Sequence, residues 1–569
     1  MSAPDPGWPA SLTTTLRQFS ARSGQLLPRK ADWSGVRPGR DLTAGLMVGL
    51  VALPLALGFG ANSGLGASAG LVTAIVAGAV AAVFGGSRVQ VSGPTGAMTV
   101  VLVPIVATHG ADGVLVVGLL AGAVLIGLGY VGAGRFIRYV PIPVVEGFTL
   151  GIAVIIALQQ VPSALGVRVD ADKVLVVAAH AIAEWARSPV WAPLLVAAGV
   201  GMVVLLLSRI RPSLPGSLIA VVGATVGNAV LGWRVTPIGS IPSNLPVPSL
   251  PGVPVGDLGA LVLPAIAVAA LAALESLLSA TVADGMSVGR RHDPNRELFG
   301  QGLANLASPL FGGIPATAAI ARTAVNVRSG ATSRLASLTH ALVLLFVILV
   351  AARWVAQIPL AALAGVLIAT AVQMVKVSSL HALLRSTRGD CVVLVLTALA
   401  TVIFDLVTAV LVGLVVAGFF ALQQAARAAR VEEVPLDEGD HTDEERRLLD
   451  EHIIAYRIDG PLFFAAAHDF LLELAEVTTV RVVVLRMSRV TAIDATGASI
   501  LADTISRLER RHVTVLLSGV QPQHERVLHE LGVYGHLAHE RHLFATTSDA
   551  IAHARLHAAR VMHSPNGPS

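Results

Sequence analysis

Between Asp41 and Gly134 the chain carries three charged residues, Asp41, Arg88 and Asp112, in a background of Ala, Gly, Val and Leu. The same apolar texture runs on to about Gln424 and stops after Arg430. A helix needs about 20 apolar residues to cross a hydrocarbon core. Cut at its polar interruptions, the stretch predicts about fourteen spans, centred at about residues 50, 75, 99, 123, 153, 200, 223, 270, 303, 322, 343, 367, 397 and 415. Ala171–Trp185 reads as an extra amphipathic stretch between the fifth and sixth. Pro237, Pro242, Pro246, Pro248, Pro251 and Pro254 make 237–254 an extended surface loop.

Charge gives this pattern a direction. The arm formed by residues 1–40 holds Arg17, Arg22, Arg29, Lys30, Arg37 and Arg40 and no cleavable apolar core, so it reads as a cytoplasmic arm and not a signal peptide. With the arm inside, the even-numbered spans end on Arg88, Arg135 and Arg138, Arg209 and Arg211, Arg290, Arg291 and Arg296, Arg328 and Arg334, Lys376, Arg385 and Arg388, and Arg427 and Arg430. The opposite loops offer only Arg168, Lys173, Arg187, Arg234 and Arg353. That asymmetry follows the positive-inside rule and places both ends of a 41–430 membrane domain in the cytoplasm of a cell with an inner membrane. Composition agrees: 54% of the 569 residues are hydrophobic and 13% charged, about half the charge of a soluble domain. A formal charge of +4 forms no basic stripe, which excludes a nucleic-acid partner. The single cysteine, Cys391, excludes a disulfide framework and a Cys-based metal cluster. With no Gly-rich nucleotide loop and no nucleophile–base pair in the chain, the expectation is a protein that is not an enzyme, with no cofactor and no metal.

Two spans are wrong for plain lipid-facing helices. The third opens on Ser92-Gly93-Pro94-Thr95-Gly96-Ala97, and the tenth opens on Gly312-Gly313-Ile314-Pro315-Ala316-Thr317 and meets Arg322 almost at once. Gly and Pro at an unwound start, followed by a short helix, are the marks of a discontinuous transmembrane helix, and such segments at matching places in two halves point to a transporter's site. Pro94 and Pro315 stand 221 residues apart, as do Pro54 and Glu275. Fourteen spans therefore divide into seven plus seven, an inverted repeat. Half-helix N-termini present unpaired N–H groups and a positive dipole end, so two of them facing each other favour an anion. Either motif alone is as well read as a kink between close-packed helices. Arg322 can complete the anion site, and Glu275, in mid-span, either forms a structural ion pair with it or carries a coupling proton. Glu146 and Asp284 sit near span ends as anchoring groups, and His109, His180 and His340 are isolated in the sequence.

These residues carry a family resemblance. Gly45–Leu102, with VALPLALGFG and VSGPTGAM, and the pair ALESLLSATVADGM and NRELFGQGLANLASPLFGGIPATAAIARTAV resemble the SulP anion permeases, bacterial relatives of the SLC26 exchangers. The resemblance implies core and gate domains, an elevator-like movement and homodimers. It also implies a substrate site where Thr95, Gly96 and Ala97 face Ala318, Ala319 and Ile320, with Arg322 nearby; Glu275 and, one turn on, Ser279 are the residues expected on the ion-coupling side. Leu55 follows Pro54 where many members have Gln, and sodium-coupled bicarbonate members have Asp at the place of Glu275 and no arginine at that of Arg322. A fixed guanidinium takes the electrostatic role of a bound Na⁺, so a proton co-ion is expected. The uracil and xanthine permeases share the span architecture and lack the tail found here.

That tail follows an acidic linker, 431–451, and is α/β in texture. Ile453–Ile458, Arg481–Met487 and Val513–Ser518 read as strands, and His468–Ala475, Thr496–Arg510 and Gln523–Leu531 as helices. Residues 452–562 resemble a STAS domain, the fold of anti-sigma-factor antagonists, with Asp494, Thr496 and Gly497 in its signature loop and 563–569 as a disordered tail. Asp494 is placed to cap a helix. Ala495 stands where the antagonists have a phosphorylated Ser, so the domain is expected to steady a dimer or take a regulatory protein. The whole reads as a multi-pass transporter of a small anion (sulfate, a C4-dicarboxylate or bicarbonate), driven by protons and held between half-helices 3 and 10. The alternatives are a sodium-coupled bicarbonate transporter, or an anion channel or signalling receptor with the STAS domain as output.

Overall fold

The computed structural model describes residues 26–169, 173–211, 214–252, 258–287, 291–404, 406–428, 430–433, 452–462, 480–537 and 542–562. They divide into two compact units, Met1–Val415 and Val416–Ser569. The first is helical: α1 (Pro38–Asn62), α2 (Ala67–Phe84), the two-residue strand β1 (Ser92–Gly93), α3 (Gly96–Val131), α4 (Ile142–Gln159), α5 (Val161–Leu165), α6 (Val174–Arg187), α7 (Trp191–Ile210), α8 (Gly216–Leu231), α9 (Leu258–Met286), α10 (Pro294–Leu310), β2 (Thr317–Ala318), α11 (Ile320–Arg328), α12 (Arg334–Val355), α13 (Leu360–Met374), α14 (Val377–Leu384) and α15 (Arg388–Ile403), with α16 (Leu406–Ala428) passing the division.

Each of the fourteen expected centres falls within one of these helices. The third and fourth share α3, which Gly110 breaks with φ 66° and ψ −167°, a conformation open only to glycine. Length alone does not carry the count to fourteen. Seven of the described spans are long and apolar enough by themselves, and α13 with α14, bent by 41°, makes an eighth. The amphipathic stretch is helical as α6, and 237–252 is irregular apart from one bridge, Pro237 to Pro359.

Packing sorts the helices into two groups. In one, α10 lies along α3 and α2, α12 along α1 and α2, and α9 along α3 and α11. In the other, α15 packs on α4, and α13 on α7 and α4. The groups meet where α13 and α8 touch α1 and where α4 touches α3. Small residues set the contact distances. A Cβ on Gly70 would stand 2.0 Å from the Ala56 carbonyl, and one on Gly60 2.6 Å from the Gly70 nitrogen, so α1 and α2 touch backbone to backbone.

At the arginine-rich end of the first group, charges are satisfied in place. The Asp41 carboxylate, wholly buried at the start of α1, accepts from the N–H groups of Thr332 (2.6 Å) and Ser333 (3.1 Å) and from both their hydroxyls. Glu297 accepts from the N–H groups of Gly86 (2.8 Å) and Ser87 (3.1 Å). Arg334 donates to the Ala82 and Gly85 carbonyls at 3.0 and 2.6 Å. A short 3-10 turn, Lys30–Trp33, is tied to this end by an Asp32–Arg296 ion pair at 2.7 Å and by Arg88 donating to the Ala31 carbonyl at 3.2 Å.

The second unit is built on a sheet in the order β3 (Arg430–Glu433), β4 (Ile453–Leu462), β5 (Val482–Arg486), β7 (Thr514–Ser518), β8 (Leu543–Phe544), with β6 (Val490–Ile493) paired to β4. Only β3 runs antiparallel, and it occupies the start of the expected linker. Two faces are covered. α17 (Ala495–Arg510) packs Leu501, Ile505 and Leu508 on one side, and α19 (Thr547–Met562) packs Ala550 and Ala554 on the other, while α18 (Pro522–Glu530) contributes Leu528. All three strands and two of the helices expected from the sequence are present; His468–Ala475 and most of the acidic linker lie outside the described residues, as do 1–25 and 563–569.

Candidate functional site

The two broken helices meet at a strand bridge. β1 pairs antiparallel with β2, Ser92 opposite Ala318 and Gly93 opposite Thr317, and the Ala319 N–H continues the ladder to the Val91 carbonyl at 3.0 Å. α3 and α11 begin directly after it. Thr95 caps α3, its Oγ1 accepting from the Met98 N–H at 3.4 Å, whereas Ala319 stands at the N-cap of α11 with no side-chain bond. By position the first N–H groups of both helices, at Gly96, Ala97, Ile320 and Ala321, have no intrahelical acceptor. The helix starts are 224 residues apart, against 221 for the prolines, so the second half spends three more residues between proline and helix and fits β2 into them.

α9 is laced to this bridge by hydroxyls. Ser276 Oγ lies 2.9 Å from Thr317 Oγ1 and accepts from the Ala318 N–H at 3.1 Å. The Ser279 hydroxyl donates to Thr323 Oγ1 at 3.1 Å, and the same oxygen accepts from the Val91 N–H at 3.1 Å. Gln90 Nε2 reaches the Ser276 carbonyl at 2.8 Å. Ser279, expected beside a coupling ion, has its hydroxyl committed to holding α9 against α11.

Glu275 lies one residue before this lacing and is half-buried. Its Oε2 accepts from the Thr95 hydroxyl at 2.9 Å, so one side chain both caps α3 and binds the carboxylate. Arg322 is 1% exposed. Its Nη2 donates to the Pro94 carbonyl, and its Nη1 is buried with no hydrogen-bond partner. The structural Glu275–Arg322 ion pair, one of the two readings of Glu275, does not form directly: among the described residues Arg322 touches no carboxylate, and the two groups interact through space. Gly93 makes room for the guanidinium, since a Cβ there would stand 2.6 Å from Nη1. Gly96 is equally confined, against Ile156 and Phe59.

The structure thus gathers Thr95, Gly96, Ala97, Ala318, Ala319, Ile320, Arg322, Glu275 and Ser279 around one bridge. It adds Gly93, Ser276, Thr317 and Thr323, of which the spacing of Ser276 and Ser279 on one face of α9 was the readable signal. His340 is also there: it is wholly buried on α12, both ring nitrogens lack a hydrogen-bond partner, and it feels the Arg322 charge. Glu146 takes the Ser379 hydroxyl at 3.0 Å, and Asp284 binds the His292 ring at 2.7 Å, both anchoring roles. In the second unit Asp494 caps α17, its Oδ1 accepting from the Gly497 N–H at 2.6 Å. A Cβ on Gly497 would stand 2.0 Å from the Leu462 carbonyl, and Thr496 is exposed.

Broken helices meeting at a bridge beside a buried arginine, among long apolar helices, are the arrangement expected of a polytopic membrane transporter. The model of the sulfate permease family matches residues 39–397 and that of the STAS domain matches 449–550. The chain belongs to the sulfate permease family. A putative sulfate transporter of Bacillus subtilis is 36% identical over 89% of this chain and 96% of its own. The bicarbonate transporter BicA of Synechocystis is 30% identical over 87% of this chain and 90% of its own. The transmembrane domain of a cyanobacterial BicA superposes with a TM-score of 0.57 at 32% identity, covering 67% of this chain and 97% of that one. The murine Slc26a9 anion transporter in its inward-facing state shares the fold over 98% of this chain and 96% of that one, with a TM-score of 0.78 at 18% identity. The chain is therefore a multi-pass anion transporter of SLC26-like fold with a C-terminal STAS domain, and not an enzyme.

Proposed function

We propose that this protein is a secondary active carrier of sulfate or bicarbonate that binds its anion between the starts of α3 and α11 and takes protons as co-ion. The observation that carries the reading is Arg322 Nη1, a cationic donor buried beside two helix N-termini and left without a protein partner. Keeping such a group unsatisfied is costly unless a ligand completes it. Dipole ends and the guanidinium together make a site for negative charge with no metal. The two packing groups of helices, each drawing on both halves of the chain, support a core-and-gate division, in which the first group carries the bound anion across as an elevator. The STAS domain serves that cycle as a regulatory or dimer-steadying module on the cytoplasmic side of an inner membrane, and a C4-dicarboxylate fits the same chemistry.

Glu275 is the proton carrier in this reading. A carboxylate inside an apolar helix with one hydroxyl for company is stabilised by neutralisation. The test is uptake into proteoliposomes of labelled sulfate, bicarbonate, fumarate and succinate under an imposed proton or sodium gradient. Saturable uptake of one of these anions that rises with an acid exterior supports the reading. Conductance that never saturates would instead make the protein a channel.

A further inference from the structure

The tail contains a constellation that the reading of its signature loop does not use. His553 and His557 are one turn apart on α19, so their rings lie on one face of the helix. His542 stands one residue before β8 and is buried, and the ligating nitrogens of all three rings lie within 4.8 Å of one another. The frame around them is fixed. β8 pairs with β7 through Leu517 and Leu543, Ala550 and Ala554 seat α19 on Val482, Val484 and Leu516, and Thr546 and Asp549 cap its start reciprocally.

We propose that His542, His553 and His557 bind one Zn²⁺. Imidazole bound at about 2.0–2.1 Å puts each ring centroid about 3.2 Å from the metal, so two tetrahedral ligands have centroids about 5.2 Å apart. The three rings stand 4.9, 5.2 and 5.7 Å apart, centroid to centroid. Turning them in place closes the nitrogens to the roughly 3.3 Å of a shared ion. An all-imidazole set suits zinc among the abundant divalent ions and excludes calcium and magnesium, which take oxygen. Three ligands leave a fourth position open to water or to a side chain of a bound partner. Bound there, the metal ties the last helix to the edge of the sheet, which the cysteine-based reading of the sequence did not anticipate.

The test uses the full chain in detergent, produced without a polyhistidine tag, stripped with chelator and dialysed against zinc. The expected result is about one zinc per wild-type chain by elemental analysis. Visible bands of tetrahedral Co²⁺ should appear when cobalt replaces zinc, and both signals should be lost in His553→Ala/His557→Ala. If that variant is not monodisperse, His553→Asn and His557→Asn singly preserve a polar side chain and should each lower zinc affinity at least tenfold. Wild-type chains that hold no more zinc than the double variant, or that give only octahedral cobalt spectra, overturn the site.

Discussion

In the proposed reading, Arg322 is the side chain on which anion binding turns. Its Nη2 is held by the Pro94 carbonyl, which fixes the fork and leaves Nη1 as the free donor. Arg322→Ala removes the fixed positive charge and the donor together. The expected outcome is a folded protein whose saturable anion binding falls by 100-fold or more, about 3 kcal/mol, as for a charge-assisted bond lost from a buried site. Arg322→Lys should restore little, because a point ammonium cannot reach carbonyl and ligand at once. Calorimetry that finds wild-type affinity in a well-folded Arg322→Ala protein removes this residue from the site. Gly93 belongs to the same calculation: Gly93→Ala drives a methyl against Nη1 and should weaken binding while Arg322 itself is intact.

At the level of elements, the sequence showed where helices break, and it showed less of what they face. Gly and Pro before Gly96 and Ile320 announced both half-helices, and Asp494 announced the start of α17, because backbone chemistry of that kind is local. The spacing of Ser276 and Ser279 on one face of α9 was visible, but their lacing to Thr317 and Thr323 was not, since hydroxyls inside an apolar helix look neutral until the partner helix is known. His340 looked isolated for the same reason, and His542 gave no hint that α19 returns to it. The N-terminal turn is a further tertiary feature, and it carries a pH dependence. Burial alone would raise the Asp32 carboxyl, but the Arg29 N–H and the Arg296 guanidinium outweigh it and hold it below its ordinary value. A lowered folded value stabilises the turn above the unfolded carboxylate range, and that contribution is lost as pH falls through the folded value. Exchange protection of residues 30–34, corrected for the intrinsic pH dependence of amide exchange, should therefore be high at neutral pH and fall in acid, and Asp32→Asn should show the low protection at both.

For the molecule as a whole, every residue proposed to touch the anion lies between Gly93 and Arg322, so a chain ending at Ala428 should bind substrate with the affinity of the full protein. Loss of binding in a truncated but monodisperse protein would show that the STAS domain shapes the site. Coupling is the property that needs the whole membrane unit. Glu275 takes the Thr95 hydroxyl and feels Arg322 through space without touching it. An anion arriving at Nη1 cancels that attraction, and the carboxylate is then favoured to take up a proton. On the proposed mechanism, binding of anion and proton would be linked, each raising the affinity for the other. An acid exterior should accelerate uptake, and a sodium gradient should not. Glu275→Gln imitates the protonated state, keeps an acceptor for Thr95, and should bind and exchange anion at near wild-type affinity while losing acceleration by pH. Uptake in proteoliposomes, wild type against Glu275→Gln, with each gradient imposed in turn, decides it. Wild-type uptake that follows sodium and ignores pH would assign the coupling to a cation site and leave Glu275 a structural partner of Thr95.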